Sequence, residues 1–166
     1  EGLKRVGAPL RLAVAQNPDL TKKINSSLFE VEAAGDSVVI PNGSQQEVTF
    51  RFQDDSGLSV RKTFRFYGGK YIFDTVVSAS QNGKALDASI LIGPNFGDQS
   101  VKTVDTYINT PQQVIVEHDA GKVEFITGSA LEHRGAAPDS SKEFTSNISW
   151  IGAADHYFAM TIITPK

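Results

Sequence analysis

Cysteine is absent from the sequence, and so are long apolar runs and clusters of basic residues. Without cysteine the chain has no disulfide framework, no thiolate metal site and no cysteine nucleophile. No stretch approaches the roughly 20 consecutive apolar residues of a membrane-spanning helix, so no transmembrane segment is predicted in this chain. The net charge of -3 and the scattered lysines and arginines give no general attraction to nucleic acid or to an anionic membrane surface.

Catalytic and metal-binding motifs are missing as well. The sequence contains no HExxH motif, no G-x-S-x-G elbow and no phosphate loop ending in GK[ST]. The segment from Asp54 to Gly57 lacks the alternating acidic ligands of a calcium loop, and it is predicted to be a turn. The residues themselves therefore predict no catalytic set, no metal site and no cofactor.

The three histidines, His118, His133 and His156, lie close in sequence to carboxylates. A metal site or an acid-base pair is one interpretation of this pattern. Adjacent side chains of a strand point to opposite faces, so Glu117, His118 and Asp119 are not expected to converge without a bulge. Each histidine is predicted to have a solvated or structural role, and a ligand or catalytic role is the alternative.

Composition and length predict one folded domain over residues 1–166. Charged residues make up 21% of the chain and hydrophobic residues 40%, which is ordinary globular usage. A chain of this size falls in the usual range of a single domain. We therefore expect a real hydrophobic core.

The strongest local pattern is a period-two alternation over residues 46–53, which is followed by the turn at 54–57 and a second alternating run at 59–67. A third run covers residues 71–79, and the three together predict an antiparallel meander. Aromatic residues recur along these runs and are predicted to lie in the core, with an exposed stacking platform as the alternative: Phe50, Phe52, Phe64, Phe66, Tyr71 and Phe73.

Shorter strands are predicted at residues 88–92, 113–117, 122–127 and 157–164, with weaker candidates at 9–17 and 27–32. Many short strands separated by turn residues are typical of a sandwich or barrel. One short helix is predicted from Trp150 to His156, because Asn147 or Ser149 offers the side-chain oxygen that an N-cap requires. The predicted class is all-β with that single helix.

Two segments carry a resemblance to a known family. The first is the hairpin with its flanking strand, through Phe50, Phe52, Gly57, Lys62, Phe64, Phe66 and Tyr71. The second lies near the end of the chain, through Trp150, Gly152, Tyr157, Phe158 and Pro165. Both resemble the periplasmic domain of the YidC/Oxa-type membrane protein insertases, and with residues 25–31 they follow the order of that family.

The resemblance implies a β-supersandwich similar to that of galactose mutarotases. It implies an accessory, non-catalytic domain on the periplasmic face of the bacterial inner membrane, because the insertase activity is expected in membrane helices outside this chain. The implied partners are the Sec translocon, the SecDF accessory complex and, through the parent protein, nascent membrane proteins.

A carbohydrate- or peptide-binding β-sandwich and a mutarotase-like enzyme are the alternative functions. The family has additional strands at both ends, so residues 1–166 are expected to be a partial domain. A partial sandwich leaves unpaired strand edges, so an edge-mediated dimer is expected as well.

Overall fold

The computed structural model describes residues 10–92, 113–127, 142–145, 147–154 and 159–164. The chain forms two compact units, Glu1–Gly93 and Pro94–Lys166. The described part of the first unit contains, in chain order, β1 (Arg11–Val14), α1 (Pro18–Ser26), β2 (Glu30–Glu32), β3 (Gln45–Gln53), β4 (Leu58–Tyr67), β5 (Phe73–Gln81), β6 (Lys84–Ala85) and β7 (Ala88–Leu91). The described part of the second contains β8 (Gln113–His118), β9 (Lys122–Thr127), β10 (Ile148–Ala154) and β11 (Ala159–Ile163).

The predicted meander is the centre of the first unit. Strands β2 to β6 form a five-stranded antiparallel sheet in sequence order, and β1 pairs with β7 in a separate two-stranded sheet. In the register of β3 and β4, Val48 lies opposite Phe64 and Thr49 lies opposite Thr63. The period-two pattern therefore sorts these strands into one apolar and one polar face, as predicted.

Helix α1 lies between the two weak strand candidates, in a segment for which no element was predicted. Its first turn is capped by Asn17, whose Oδ1 accepts a hydrogen bond from the backbone nitrogen of Leu20 at 3.0 Å. Pro18 begins the helix at a position where its missing N–H costs nothing. The side chain of Asn25 bonds both backbone groups of Leu12, at 3.0 and 2.7 Å, and so fixes the helix to β1.

The core of the first unit lies between the five-stranded sheet and a layer made of β1, β7 and α1. Its buried side chains come from β1, α1, β4 and β5: Leu12, Val14, Ile24, Leu58, Val60 and Ala79. Burial of each leucine, isoleucine and valine in this set stabilises the fold by about 1.5–3 kcal/mol. This layer covers only the half of the sheet near the β3–β4 turn.

The second unit contains a four-stranded antiparallel sheet in the order β11, β10, β8, β9. The helix predicted from Trp150 to His156 is wrong for residues 150–154, which belong to strand β10. Strand β10 pairs with β8 on one side and β11 on the other, so its backbone groups are bonded across the sheet instead of along a helix. Asp155 and His156 lie outside the described residues.

The described elements confirm the all-β class. The strands predicted at 46–53, 59–67, 88–92, 113–117 and 122–127 are all present, with ends shifted by at most one residue. The third run begins at Phe73 instead of residue 71, and the weaker candidates shorten to β1 and β2. Within the described ranges, no helix has the length and apolar character to cross a membrane.

Candidate interaction surfaces

The apolar face of the five-stranded sheet carries a cluster of phenylalanine rings. Phe64 lies at the centre of this cluster and is 8% exposed. Its ring centroid lies 5.7 Å from that of Phe50, 6.3 Å from that of Phe66 and 6.1 Å from that of Phe73. Phe52 packs separately on Phe29 at 5.7 Å, beneath the covering layer. The predicted core position is confirmed for Phe64, whereas Phe50, Phe52 and Phe66 are half-buried.

Tyr71 and Phe73 do not follow that prediction. Tyr71 is fully exposed at 108%, and Phe73 is 47% exposed. Tyr71 precedes β5, so no sheet neighbour holds its ring over the apolar face. The prediction of a core position is wrong for Tyr71, and the aromatic face stays partly open at this end.

Lys62 lies on the apolar face, in line with Phe50 on β3 and Val77 on β5. Its Nζ donates a hydrogen bond to the backbone oxygen of Leu10 at 3.1 Å and stands 5.1 Å from the centroid of the Phe29 ring. Burial lowers the pKa of the Lys62 ammonium group, because the charged form loses water. The hydrogen bond from Lys62 therefore connects the residue before β1 to the five-stranded sheet.

The β3–β4 turn is built around the carboxylate of Asp54. Its Oδ1 accepts hydrogen bonds from the backbone nitrogens of Ser56 and Leu58, at 2.9 and 3.1 Å, as the turn prediction requires. Gly57 completes the turn with a φ of +78°, and its carbonyl oxygen accepts a 2.9 Å hydrogen bond from the backbone nitrogen of Asn82. Gly57 therefore joins two neighbouring hairpin turns.

An open groove lies at the opposite end of the sheet. It has a volume of about 420 Å³ and runs between the segment before β3 and the β4–β5 connection, with apolar walls and one lysine: Val38, Ile40, Val48, Phe66, Lys70 and Ile72. Gly68 links the two walls, because its nitrogen donates to the oxygen of Ser44 at 2.9 Å. The groove was not predicted, since its two walls are far apart in sequence.

One face of the second unit exposes large apolar side chains. In the sheet register Val123, Glu117, Trp150 and Ile163 form one row across the strands, and Phe125 lies in the next row on the same face. Phe125 is 61% exposed and Ile163 is 75% exposed. Beside Trp150 and Ile163 lies an open groove of about 880 Å³. We call this surface the Trp150 face.

The Trp150 ring packs next to Gly152 on this face. A Cβ placed on Gly152 would lie 3.6 Å from Cζ3 of the Trp150 ring and 3.1 Å from the backbone oxygen of Met160. The second contact is tighter than an ordinary van der Waals contact, so a side chain at this position would displace its neighbours. The two residues of the second motif that the structure describes therefore form one packing unit.

His118 is the one histidine that lies within the described residues. Its Nδ1 lies 3.2 Å from Oδ2 of Asp119 and its Nε2 lies 3.8 Å from Oε2 of Glu124. The ring of Phe144 packs on it at 5.2 Å, and Lys142 contacts Glu124. His118 is thus held by a local cluster of polar and aromatic contacts at the β8–β9 turn.

The prediction that Glu117, His118 and Asp119 would not converge is correct for Glu117 and wrong for Asp119. Glu117 pairs with Trp150 on the opposite face of the sheet. Asp119 meets His118 because it lies beyond the strand end, in a turn with a φ of +47°. His118 lines neither of the two grooves. Among the residues that the structure describes, no group of three or more acidic or histidine side chains has a metal-binding arrangement.

Several predicted residues lie outside the described ranges, and their positions stay predictions. They are His133, His156, Tyr157, Phe158 and Pro165.

The described antiparallel sheets, with their partly open apolar faces, define an all-β domain. The chain matches the YidC periplasmic domain family over residues 4–166, and it belongs to that family. Membership gives it a role in a membrane protein insertase and a periplasmic location at the inner membrane. No curated protein and no solved structure matches the chain.

Proposed function

We propose that this domain is an accessory, non-catalytic part of the insertase that acts by docking onto protein partners through the Trp150 face. The observation that carries the proposal is the exposure of Phe125, Ile163 and Val123 on a single sheet face next to an open groove. Apolar patches of this kind, with a polar surround, are typical of protein interaction sites. Trp150 supplies the aromatic anchor on which such interfaces depend.

The proposed partners are the Sec translocon and the SecDF accessory complex, with nascent membrane proteins reached through the parent protein. Support for this choice comes from the family, since the resemblance links the segment from Gly93 to Pro165 with this contact and the Trp150 face lies in that segment. His118 contacts Asp119, Glu124 and Phe144 at a hairpin turn and lines neither groove, and this favours a structural role over acid-base catalysis.

The experiment is capture of translocon and SecDF components by the full chain, compared with a variant carrying Phe125→Ser and Ile163→Ser. Both side chains are exposed, so the fold should survive and capture should fall by about tenfold. Leu28→Ser with Val76→Ser is the matched control, because these residues are 94% and 67% exposed on the other unit. Equal capture by all three proteins would contradict the proposal, and so would undiminished co-purification after deletion of the domain.

A second candidate function is binding of an extended peptide or sugar in an open groove. The partial exposure of Phe73 and the groove between residues 38–40 and 66–72 favour it. Chemical-shift changes at Val48 and Phe66 on adding unfolded peptides or oligosaccharides would support this function. No change at millimolar concentrations would remove it.

A further inference from the structure

The end of the first unit that carries the groove presents exposed apolar side chains from two loops. Tyr71 is 108% exposed, Val39 is 87% exposed and Ile72 is 60% exposed. We call residues 38–44 and 68–72 together the loop tip. Scattered exposed apolar residues are normal on protein surfaces, but three large ones in two adjoining loops call for an explanation.

Backbone hydrogen bonds hold the two loops side by side. The nitrogen of Gly68 donates to the oxygen of Ser44 at 2.9 Å, and the nitrogen of Gly43 donates to the oxygen of Gly68 at 3.5 Å. The nitrogen of Ser44 also donates to the oxygen of Pro41 at 3.0 Å, which closes the first loop on itself. The apolar side chains are therefore presented on a fixed backbone and lose little conformational freedom on binding.

The charge of the loop tip differs from that of the whole chain. Lys70 is its single charged residue, and it contains no aspartate or glutamate. The chain as a whole has a net charge of -3. Lys70 can therefore meet an anionic surface without an acidic residue of the same two loops repelling that surface.

We propose that the loop tip binds the lipid surface of the membrane, with Tyr71, Ile72 and Val39 entering the interfacial region and Lys70 meeting the phosphate headgroups. Tyrosine and lysine are the side chains that suit the boundary between lipid and water, since each has an apolar body and a polar end. The family places the chain at the inner membrane, so a lipid surface lies next to the domain. The Tyr71 side chain projects fully into solvent. Insertion into a bilayer requires such exposure, whereas a residue that lines a concave site would be partly covered.

This proposal is independent of docking to protein partners, because it involves a different unit and a pure lipid surface. The test is flotation of the full chain with vesicles of phosphatidylcholine, alone or mixed with phosphatidylglycerol. We expect binding to both, with tighter binding to the anionic vesicles. A variant with Val39→Ser, Tyr71→Ser and Ile72→Ser should bind roughly tenfold more weakly, because its inserted apolar area is lost.

The matched control carries Leu28→Ser, Val31→Ser and Val76→Ser, which remove exposed apolar side chains outside the loop tip, at 94%, 56% and 67% exposure. It should bind like the wild type. Lys70→Gln should keep binding to phosphatidylcholine and lose the gain from phosphatidylglycerol. No flotation of the wild type, or equal losses in the two triple variants, would overturn the proposal. Equal binding of Lys70→Gln and wild type to anionic vesicles would overturn the role of Lys70.

A site-specific probe separates insertion from weak adhesion. The chain has one tryptophan, Trp150, so Trp150→Phe provides a background without tryptophan fluorescence. In that background Tyr71→Trp should be quenched by brominated lipids and Leu28→Trp should not. Equal quenching of the two probes would overturn the assignment to the loop tip. Capture of a purified insertase component by the loop tip, without any binding to vesicles, would assign this end to a protein.

Discussion

Lys23 on α1 and Asp54 at the β3–β4 turn form an ion pair in which Nζ lies 2.5 Å from Oδ2. The pair joins the layer that covers the core to the β3–β4 turn of the sheet. The hydrogen bond from Lys23 and that from Ser56 lower the pKa of the Asp54 carboxyl to about 2, from an ordinary value of 3.8. One carboxylate therefore serves the turn and the helix together.

This pair predicts a loss of stability in acid. Because the pKa of Asp54 is lower in the folded state, its contribution is complete above pH 3.8 and is lost as the pH falls toward about 2. Asp54→Asn keeps the acceptor oxygen of the turn but removes the charge. In urea unfolding followed by circular dichroism, the stability difference between wild type and variant should shrink over that interval. Lys23→Met should reduce the acid dependence in the same way, and a constant difference at every pH would contradict the prediction.

The turn glycine predicts a second, separable effect. Gly57 and Gly83 both have a positive φ, at +78° and +77°. Alanine in this conformation costs about 1–3 kcal/mol at either position. A Cβ on Gly57 would also collide with the side chain of Asn82, whereas a Cβ on Gly83 would meet nothing within 4 Å.

Gly57→Ala should therefore destabilise the domain more than Gly83→Ala, as measured by the urea midpoint. The added substitution Asn82→Gly removes the colliding side chain, and it should bring the cost of Gly57→Ala back toward that of Gly83→Ala. Equal costs for the two single variants would show that the contact with Asn82 is unimportant.

The strands could be predicted from the sequence because a sheet with one buried face requires apolar residues at every second position of each strand. Val48, Phe50 and Phe52 share a face as this pattern requires. Helix α1 was missed although its signals were present, since Asn17 and Pro18 form an N-cap and first turn. Only Ile24 of this short, polar helix is fully buried, so its apolar period is weak.

Tertiary contacts account for the other differences. Asn147 and Ser149 have the side chains of an N-cap, but pairing of β10 on both edges outweighs that local preference. The loop tip and the groove unite residues 38–44 with 68–72, a juxtaposition that no local pattern records. The Trp150 face likewise depends on the pairing of β8 to β11, and single strands do not reveal it.

The lysine on the apolar face predicts a gain of stability in alkali. Burial lowers the pKa of Lys62 in the folded state, so the unfolded chain holds its proton more tightly. The free energy of unfolding should then rise as the pH approaches the ordinary lysine value of 10.5. Lys62→Met fills the same space without a charge. The difference between wild type and variant, from urea unfolding at neutral pH and at about pH 10, should move in favour of the wild type.

Thr49 and Thr63 predict a coupling across the polar face of the sheet. They lie directly opposite on β3 and β4, Thr49 is 5% exposed, and their Oγ1 atoms are 3.0 Å apart. Thr49→Val leaves the Thr63 hydroxyl without this partner, and the expected cost is about 1 kcal/mol. Thr63→Val likewise leaves the buried Thr49 hydroxyl without its hydrogen-bond partner.

Replacing both threonines removes donor and acceptor together, and valine suits a strand at least as well as threonine. The double variant should therefore lose less stability than the sum of the single variants, by about 0.5–1 kcal/mol. A double-mutant cycle measured by urea unfolding gives this coupling directly. Arg61, whose Nε lies 3.5 Å from the Thr63 oxygen, stays in all four proteins and cancels from the cycle. Strict additivity would mean that the two hydroxyls are satisfied by water and that their contact contributes nothing to the fold.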